Sequence, residues 1–345
     1  MSASSYSISR ADLLDSNTLA RGLAIWTVVA CHIALAHAFW KPVSMFASAG
    51  KLAVSVFLFL SGLLLQVQAN RADGKLAVST WLKKRFFRIY PVYWAGLALT
   101  LFCAWFFRGT TYGAGTIAAN VLGIPIWTRQ TVVSCGYAAP FWFISLLLLC
   151  YALFLLVHRV RRKGFLVLAA LALSFIALRT GCLMGAAAYA FPSFFMGMAM
   201  ADRLRQRGEA PSDARCHAAA FFPLLGLLAF VFKGHNFIHL DARYDVWLDL
   251  LGCAGLTIIP WPALHLVAYV QKLLARGAPS ALRGLLWVSG LSFAVYCVHE
   301  PLLVVVAKSS AAGHPWSGLL VYVLLVLGAG WGLDAMDRMI RGGQK

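Results

Sequence analysis

Arg21 and His32 stand eleven residues apart in the apolar stretch RGLAIWTVVACHIALAH (residues 21–37). In an α-helix that spacing returns two side chains to within about 20° of one face, about 16 Å apart along the axis. If the segment crosses a bilayer, the arginine sits at the surface and the histidine about half a bilayer deeper. A histidine at that depth is costly unless it is paired or lines a wet cavity. One answer is a structural histidine bonded to a neighbouring helix. The other is chemistry, because a neutral imidazole can take a proton from an attacking hydroxyl near working pH. With Arg21 holding an anionic head, the pair suits a ligand with a charged end and a long neutral arm. Acyl-coenzyme A has that shape.

Four further stretches carry residues of interest. WLKKRFFRIYPVYW (81–94) places Arg85 and Arg88 three apart, on one helical face. Pro91 reads as the start of a helix, where its missing N–H costs little. Two arginines beside a helix start suit phosphate groups, whereas Lys83 and Lys84 read as a stop-transfer cluster. SVFLFLSGLLLQ (55–66) sets Ser61 and Gly62 inside an apolar run, and close helix packing is the plainer reading. PFWFISLLLLCY (140–151) opens with Trp142 and Ser145, and a tryptophan there is ordinarily an interface anchor. FAVYCVHEPLL (293–303) sets His299 and Glu300 side by side before Pro301. Two adjacent ionisable groups inside a membrane helix are hard to explain as packing.

The elements that must position these residues follow from composition. The chain has 345 residues, 61% of them hydrophobic and only 12% charged, too few charges for the surface of a soluble domain of that length. Long apolar runs between short polar breaks predict an all-α polytopic membrane protein. The runs divide into about ten transmembrane helices, roughly 19–39, 52–69, 90–107, 140–157, 165–178, 184–201, 218–232, 249–270, 285–307 and 318–334. This gives a cytoplasmic N-terminal tail (1–18), a single membrane domain (19–334) and a cytoplasmic C-terminal tail (335–345). With both termini cytoplasmic, the inside segments 71–88, 158–164 and 202–217 hold much of the Lys and Arg, the positive-inside bias. The net charge of +18 therefore needs no nucleic-acid partner. The segment TIAANVLGIPIW (116–127) is apolar but too short to span, and reads as interfacial or re-entrant. The first apolar stretch has no cleavage pattern behind it and is expected to be retained. The eight cysteines are scattered with no CxxC, and no metal site is expected.

These stretches, in this order, resemble acyltransferase family 3, integral membrane proteins that acylate glycans including O-antigens and exopolysaccharides. RGLAIWTVVACH (21–32) matches its Arg-x10-His signature, and FLFLSGLLL (57–65) resembles its FxLSGFL element. RFFRIYPVYW (85–94) resembles RxxRIxPxYW, FWFISLLLLCY (141–151) resembles the WFL element, and FAVYCVHEPLL resembles the late YxxH element. The likeness runs from about residue 18 to 334. It implies a donor of cytoplasmic acyl-CoA, usually acetyl-CoA, and a sugar hydroxyl as acceptor. It implies His32 as the catalytic histidine with Arg21 as its partner, and Arg85 and Arg88 at the donor site with Tyr90 beside them. Trp142 and His299 are carried over too. One departure stands out: many members have a glutamate five residues after the tryptophan of the WFL element, and Leu147 occupies that place here. A carboxylate that orients His32 must then come from elsewhere or be absent, and Glu300 is the only acid well inside a span.

The expected activity is therefore an O-acyltransferase, in the first instance an O-acetyltransferase of surface polysaccharide, exopolysaccharide or a lipid-linked precursor. It would sit in the bacterial inner membrane, in the stand-alone form without a hydrolase-like soluble domain, beside polysaccharide assembly machinery. Ser61, Trp142, Ser145, His299 and Glu300 are candidate substrate or oxyanion contacts. The alternative is a transporter or flippase for a glycolipid or anionic solute, with the buried ionisable residues lining its path. Against it, no inverted repeat is visible. A purely structural role would leave Arg21, His32, His299 and Glu300 buried to no purpose.

Overall fold

The computed structural model describes residues 6–35, 49–134, 137–138, 140–207, 212–237, 242–308 and 315–342. The chain begins with β1 (Ser7–Ile8), α1 (Arg10–Asp15), α2 (Asn17–Leu35), α3 (Ala49–Arg71) and α4 (Val78–Arg108). Two short helices follow, α5 (Ala114–Val121) and α6 (Pro125–Thr128), then the two-residue strands β2 (Val133–Ser134) and β3 (Tyr137–Ala138). Next come α7 (Trp142–Val157), α8 (Lys163–Thr180), α9 (Gly185–Gln206), β4 (Ser212–Asp213) and α10 (Ala214–Phe237). The chain continues through α11 (Ala242–Ile258), α12 (Pro260–Gly277), α13 (Pro279–Gly290), α14 (Ser292–Lys308) and α15 (Pro315–Gly342).

This is a helical membrane protein. Six described helices are long and apolar enough to cross a bilayer: Ala49–Arg71, Val78–Arg108, Lys163–Thr180, Ala214–Val231, Val246–Gly277 and Ser317–Gly342. Their outward faces carry bare apolar side chains, such as Phe165, Leu168 and Leu173 on α8 and Phe222 and Phe230 on α10. Such surface suits lipid, since helices satisfy their own backbone groups there.

The chain divides into two compact units. The first comprises Met1–Ala24, Lys51–Lys75 and Cys150–Leu286. Here α9 packs on α8 and α11, and α10 packs on α11 and α12. Glycines set the closest approach. A Cβ on Gly62 of α3 would collide with the Phe194 carbonyl of α9, and a Cβ on Gly197 with the Phe59 carbonyl of α3. Small residues let membrane helices meet at backbone distance, and Leu60, Leu63, Met200 and Ala201 fill the space around the contact. β1 pairs antiparallel with β4, Ser7 opposite Asp213.

Two polar groups mark opposite ends of the helices in this unit. At one, Asn70 donates to Asp202 at 2.8 Å, the Lys163 ammonium meets Asp202 at 2.9 Å, and Arg159 donates to the Gly74 carbonyl at 3.2 Å. The parts of segments 71–88, 158–164 and 202–217 that fall in this unit are thus drawn together, as expected for loops on one side of a membrane. At the other, Tyr189 donates to Asp249, Arg179 approaches Asp249 at 3.8 Å, and Lys51 sits 4.8 Å over the Tyr189 ring.

The second unit comprises Ile25–Gly50, Leu76–Leu149 and Trp287–Lys345. Its α14 packs against both α4 and α15. Gly96 of α4 fits against Cys297: a Cβ there would stand 2.6 Å from the Cys297 Cβ and 2.7 Å from its carbonyl oxygen. That carbonyl is the one Pro301 leaves without its i−4 donor. Gly330 of α15 lies under Val295.

Three expectations change. Pro91 does not start a helix: α4 begins at Val78 and carries Pro91 inside it. Residues 78–88 are rich in good helix formers and bury Trp81. Arg85 and Arg88 therefore lie two turns or more into a helix, and the dipole argument for them fails. The expected span 285–307 is broken at Leu291, between α13 and α14. The last helix runs on to Gly342, past the expected end at 334. The short apolar segment packs against α4. Tyr93 donates to Asn120 O, Trp94 to Val121 O at 2.9 Å and Tyr90 to Leu122 O at 2.9 Å. Trp94 lies about 21 Å short of the end of α4 at helical rise, so the segment folds back along it. The three aromatic donors satisfy carbonyls that the end of α5 leaves over.

Candidate active site

His32 lies on α2, and its partner comes from the far end of the chain. His299 Nε2 on α14 stands 3.2 Å from His32 Nδ1, with ring centroids 4.9 Å apart. The Glu300 carboxyl oxygen lies 3.8 Å from the same nitrogen. Glu300 is 2% exposed and His32 20%, while His299 is fully buried. Two apolar helices thus hold an imidazole pair and an acid between them, with one imidazole open at its edge.

The hydrogen bonds assign the tautomers. His299 Nδ1 faces the carbonyls of Tyr296 at 2.8 Å and Val295 at 3.3 Å. Carbonyls only accept, so Nδ1 of His299 carries the proton and its Nε2 offers a lone pair. His32 then donates from Nδ1, which puts the basic lone pair of its imidazole on Nε2. The bond made by one ring nitrogen thus sets the role of the other.

His299 is itself held from several sides. Tyr322 of α15 donates to its carbonyl at 2.9 Å. Tyr296, one turn earlier, donates to the Pro140 carbonyl and packs edge-on against Phe143 at 5.7 Å. The start of α7 is thereby joined to α14. Ser145, three residues after Trp142, is 1% exposed, and its Oγ has no hydrogen-bond partner among the described residues. A buried hydroxyl without a partner costs about 1–3 kcal/mol, which is tolerable where a ligand supplies the bond. Trp142 is half-buried against Phe143.

The other expected residues divide. Arg21 lies on the same continuous helix as His32 but belongs to the first compact unit, as does Ser61. The Ser61 hydroxyl donates to the Phe57 carbonyl of its own helix at 2.8 Å, so the close packing at this motif belongs to Gly62. Arg85 sits over the Trp81 ring at 5.4 Å, and Arg88 is exposed. Tyr90 stacks on Phe86 at 4.6 Å and spends its hydroxyl on Leu122, a structural task. Sequence reasoning missed Tyr93, Trp94 and Tyr322. An aromatic donor at helical spacing signals that some carbonyl is answered, but not which one.

Comparison with known proteins follows the same line. The family model described as Acyltransferase domain matches residues 15–334. The chain belongs to this acyltransferase family. A stretch of 159 residues is 28% identical to "Acyltransferase MdmB" of Streptomyces mycarofaciens, covering 44% of this chain. The chain matches about two fifths of that protein's length, 40%. No solved structure matches the chain. No cluster of three or more His, Cys, Asp or Glu that could hold a metal occurs among the described residues.

Proposed function

We propose that the chain is an O-acyltransferase that moves an acyl group, in the first instance acetyl, from cytoplasmic acyl-CoA to a sugar hydroxyl of a surface polysaccharide, exopolysaccharide or lipid-linked precursor. It does so in the bacterial inner membrane, with ten spans and both termini cytoplasmic. The observation that carries this reading is the His32–His299 contact of 3.2 Å with Glu300 beside it.

The His32 Nε2 lone pair takes the proton of the sugar hydroxyl, and the oxygen attacks the thioester carbonyl carbon. The tetrahedral oxyanion that forms needs hydrogen-bond donors, and the partnerless Ser145 hydroxyl is one candidate. Collapse breaks the C–S bond, and the leaving sulfur regains the proton from His32. While His32 is protonated, its Nδ1–H remains fixed on His299, and a Glu300 carboxylate balances its charge. This follows the logic of an oriented catalytic histidine. Glu300 thus supplies the carboxylate that Leu147 cannot. Arg85 and Arg88 take donor phosphates through their forked guanidinium groups, and Arg21 serves the donor head at the membrane surface.

The test is the acetyl content of surface polysaccharide in a deletion strain complemented with wild type or with His32→Ala. Acetyl lost on deletion, restored by wild type and not by the variant at equal protein level, supports the reading. Unchanged acetylation with reduced polymer export refutes it.

A further inference from the structure

Away from the His32 group, the first unit contains a cavity of about 450 Å³, within the size range of ligand sites. One wall is a stripe of α9 and its end. Met200, Arg203, Leu204 and Arg207 line the cavity at the three- and four-residue steps that share a helical face. The stripe is mixed. Met200 and Leu204 are buried, at 7% and 6% exposure, while Arg203 between them and Arg207 at the end of α9 are exposed. The opposite wall is ring-built. His217 lines the cavity with Trp261 and stacks on His265 at 3.5 Å between centroids, while Trp261 meets His265 edge-on at 4.4 Å. Among the described residues that line the cavity the one acid, Asp213, is already answered by Arg215, at 2.8 Å from its guanidinium and 2.9 Å from its backbone N–H. Those hydrogen bonds hold its carboxyl below the usual range.

We propose that this cavity is a headgroup site for an anionic membrane phospholipid, with the phosphate on Arg203 and Arg207 and the first part of the acyl chains along Met200 and Leu204. A small soluble anion would have no use for the apolar half of the stripe. An amphiphile uses both kinds of side chain. Arginine forks match phosphate oxygens, a tryptophan belongs at the level of lipid headgroups, and basic pockets between membrane helices are suited to anionic lipids. The adjoining α10 presents Phe222 and Phe230 outward, each 63% exposed, so lipid chains have apolar surface beside the cavity. The proposal is independent of the acyl-transfer reading.

The experiment is native mass spectrometry of the full chain purified in detergent, titrated with phosphatidylglycerol and, in parallel, with phosphatidylcholine. Wild type should retain phosphatidylglycerol under conditions that strip phosphatidylcholine. Arg203→Gln/Arg207→Gln should cut the retained phosphatidylglycerol at least tenfold. Arg203→Lys/Arg207→Lys should keep much of it, and Lys83→Gln/Lys84→Gln, which removes two exposed charges elsewhere, should keep all of it. If the double glutamine variant does not elute as a folded species, Arg207→Gln alone, at the exposed end of α9, should still lower retention. Equal retention of the two lipids, or wild-type retention by the arginine variants, overturns the proposal. So does arginine-dependent binding of a polyprenyl phosphate with none of phosphatidylglycerol, which would assign the site to a lipid-linked acceptor instead.

Discussion

Two of the buried polar groups in this apolar helical protein are built differently. In the first unit, Lys163 Nζ has an acceptor for each of its three N–H bonds: Asp202 at 2.9 Å, the Val160 carbonyl at 2.8 Å and the His158 carbonyl at 3.1 Å. Asp202 is answered in turn by Asn70. In the second unit, His32 has its partner on one ring nitrogen only among the described residues, and the ring is 20% exposed. The first arrangement is closed, with nothing left to give to a ligand. The second keeps one nitrogen and one edge open. Closed networks locate helices, and an oriented but half-open one is suited to proton transfer.

The largest expected effect separates the two by readout. His32→Ala should lower acyl transfer about 10²–10⁴-fold, the usual contribution of a general base, with the unfolding midpoint close to wild type. A variant that unfolds early but transfers at the normal rate would place His32 in the structural class and undo the contrast.

Asp202→Ala should do the reverse. It leaves the Lys163 ammonium buried with carbonyls alone, and breaking a buried pair from one side costs about 3 kcal/mol. Thermal unfolding in detergent should show the loss, with specific activity of the surviving folded protein retained. Lys163→Met combined with Asp202→Leu should recover most of the stability, because an apolar pair of similar volume needs no partners. Failure of the double variant to recover would mean that the network does more than hold helices.

Glu300→Gln is the subtler probe. It keeps the shape but removes the acid that faces His32 Nδ1. The expected loss is about tenfold in kcat, or ~1.4 kcal/mol of transition-state stabilisation, with KM for the donor unchanged. A rise in KM with kcat intact would assign Glu300 to substrate binding.

A third, more exposed network sets the lower end of the scale. Ser9 caps α1: its hydroxyl accepts from Asp12 N–H at 3.1 Å, and Asp12 accepts from Ser9 N–H at 2.8 Å. Burial on its own would push the Asp12 carboxyl up. The hydrogen bonds from Ser9 and the Lys272 charge outweigh it and hold the carboxyl below its ordinary value. A carboxyl depressed on folding stabilises above its unfolded pKa, and the contribution fades as pH falls through the folded value. Ser9→Ala should therefore cost about 1 kcal/mol at neutral pH. Asp12→Asn should lower the unfolding midpoint at neutral pH and converge on wild type in acid. A constant difference down to the acid limit would show that the charge is irrelevant.

Much of this was legible in the residues. The apolar runs, the placement of the basic loops and the Arg21–His32 register follow from helical period and bilayer thickness, which are local properties of sequence. Gly62 could be read as a packing residue for the same reason. Pro91 was misread, because a proline favours the first helical turn on average while the helix-forming residues before it carried α4 back to Val78. The glutamate expected near Leu147 could not be relocated by inspection, because Glu300 signals only that it is buried.

By itself, then, the sequence determined that this is a helical membrane protein and set His32, His299 and Glu300 within apolar runs. Only the tertiary structure decided that they meet. His32 and His299 are 267 residues apart in the chain, and no periodicity links two helices so distant. Their contact depends on how α14 is seated, with Cys297 against Gly96, Val295 over Gly330 and the His299 carbonyl held by Tyr322. Helical period fixes what shares a face within one helix. Which faces come together is set by the close packing of small residues between helices, and that is a property of the folded whole.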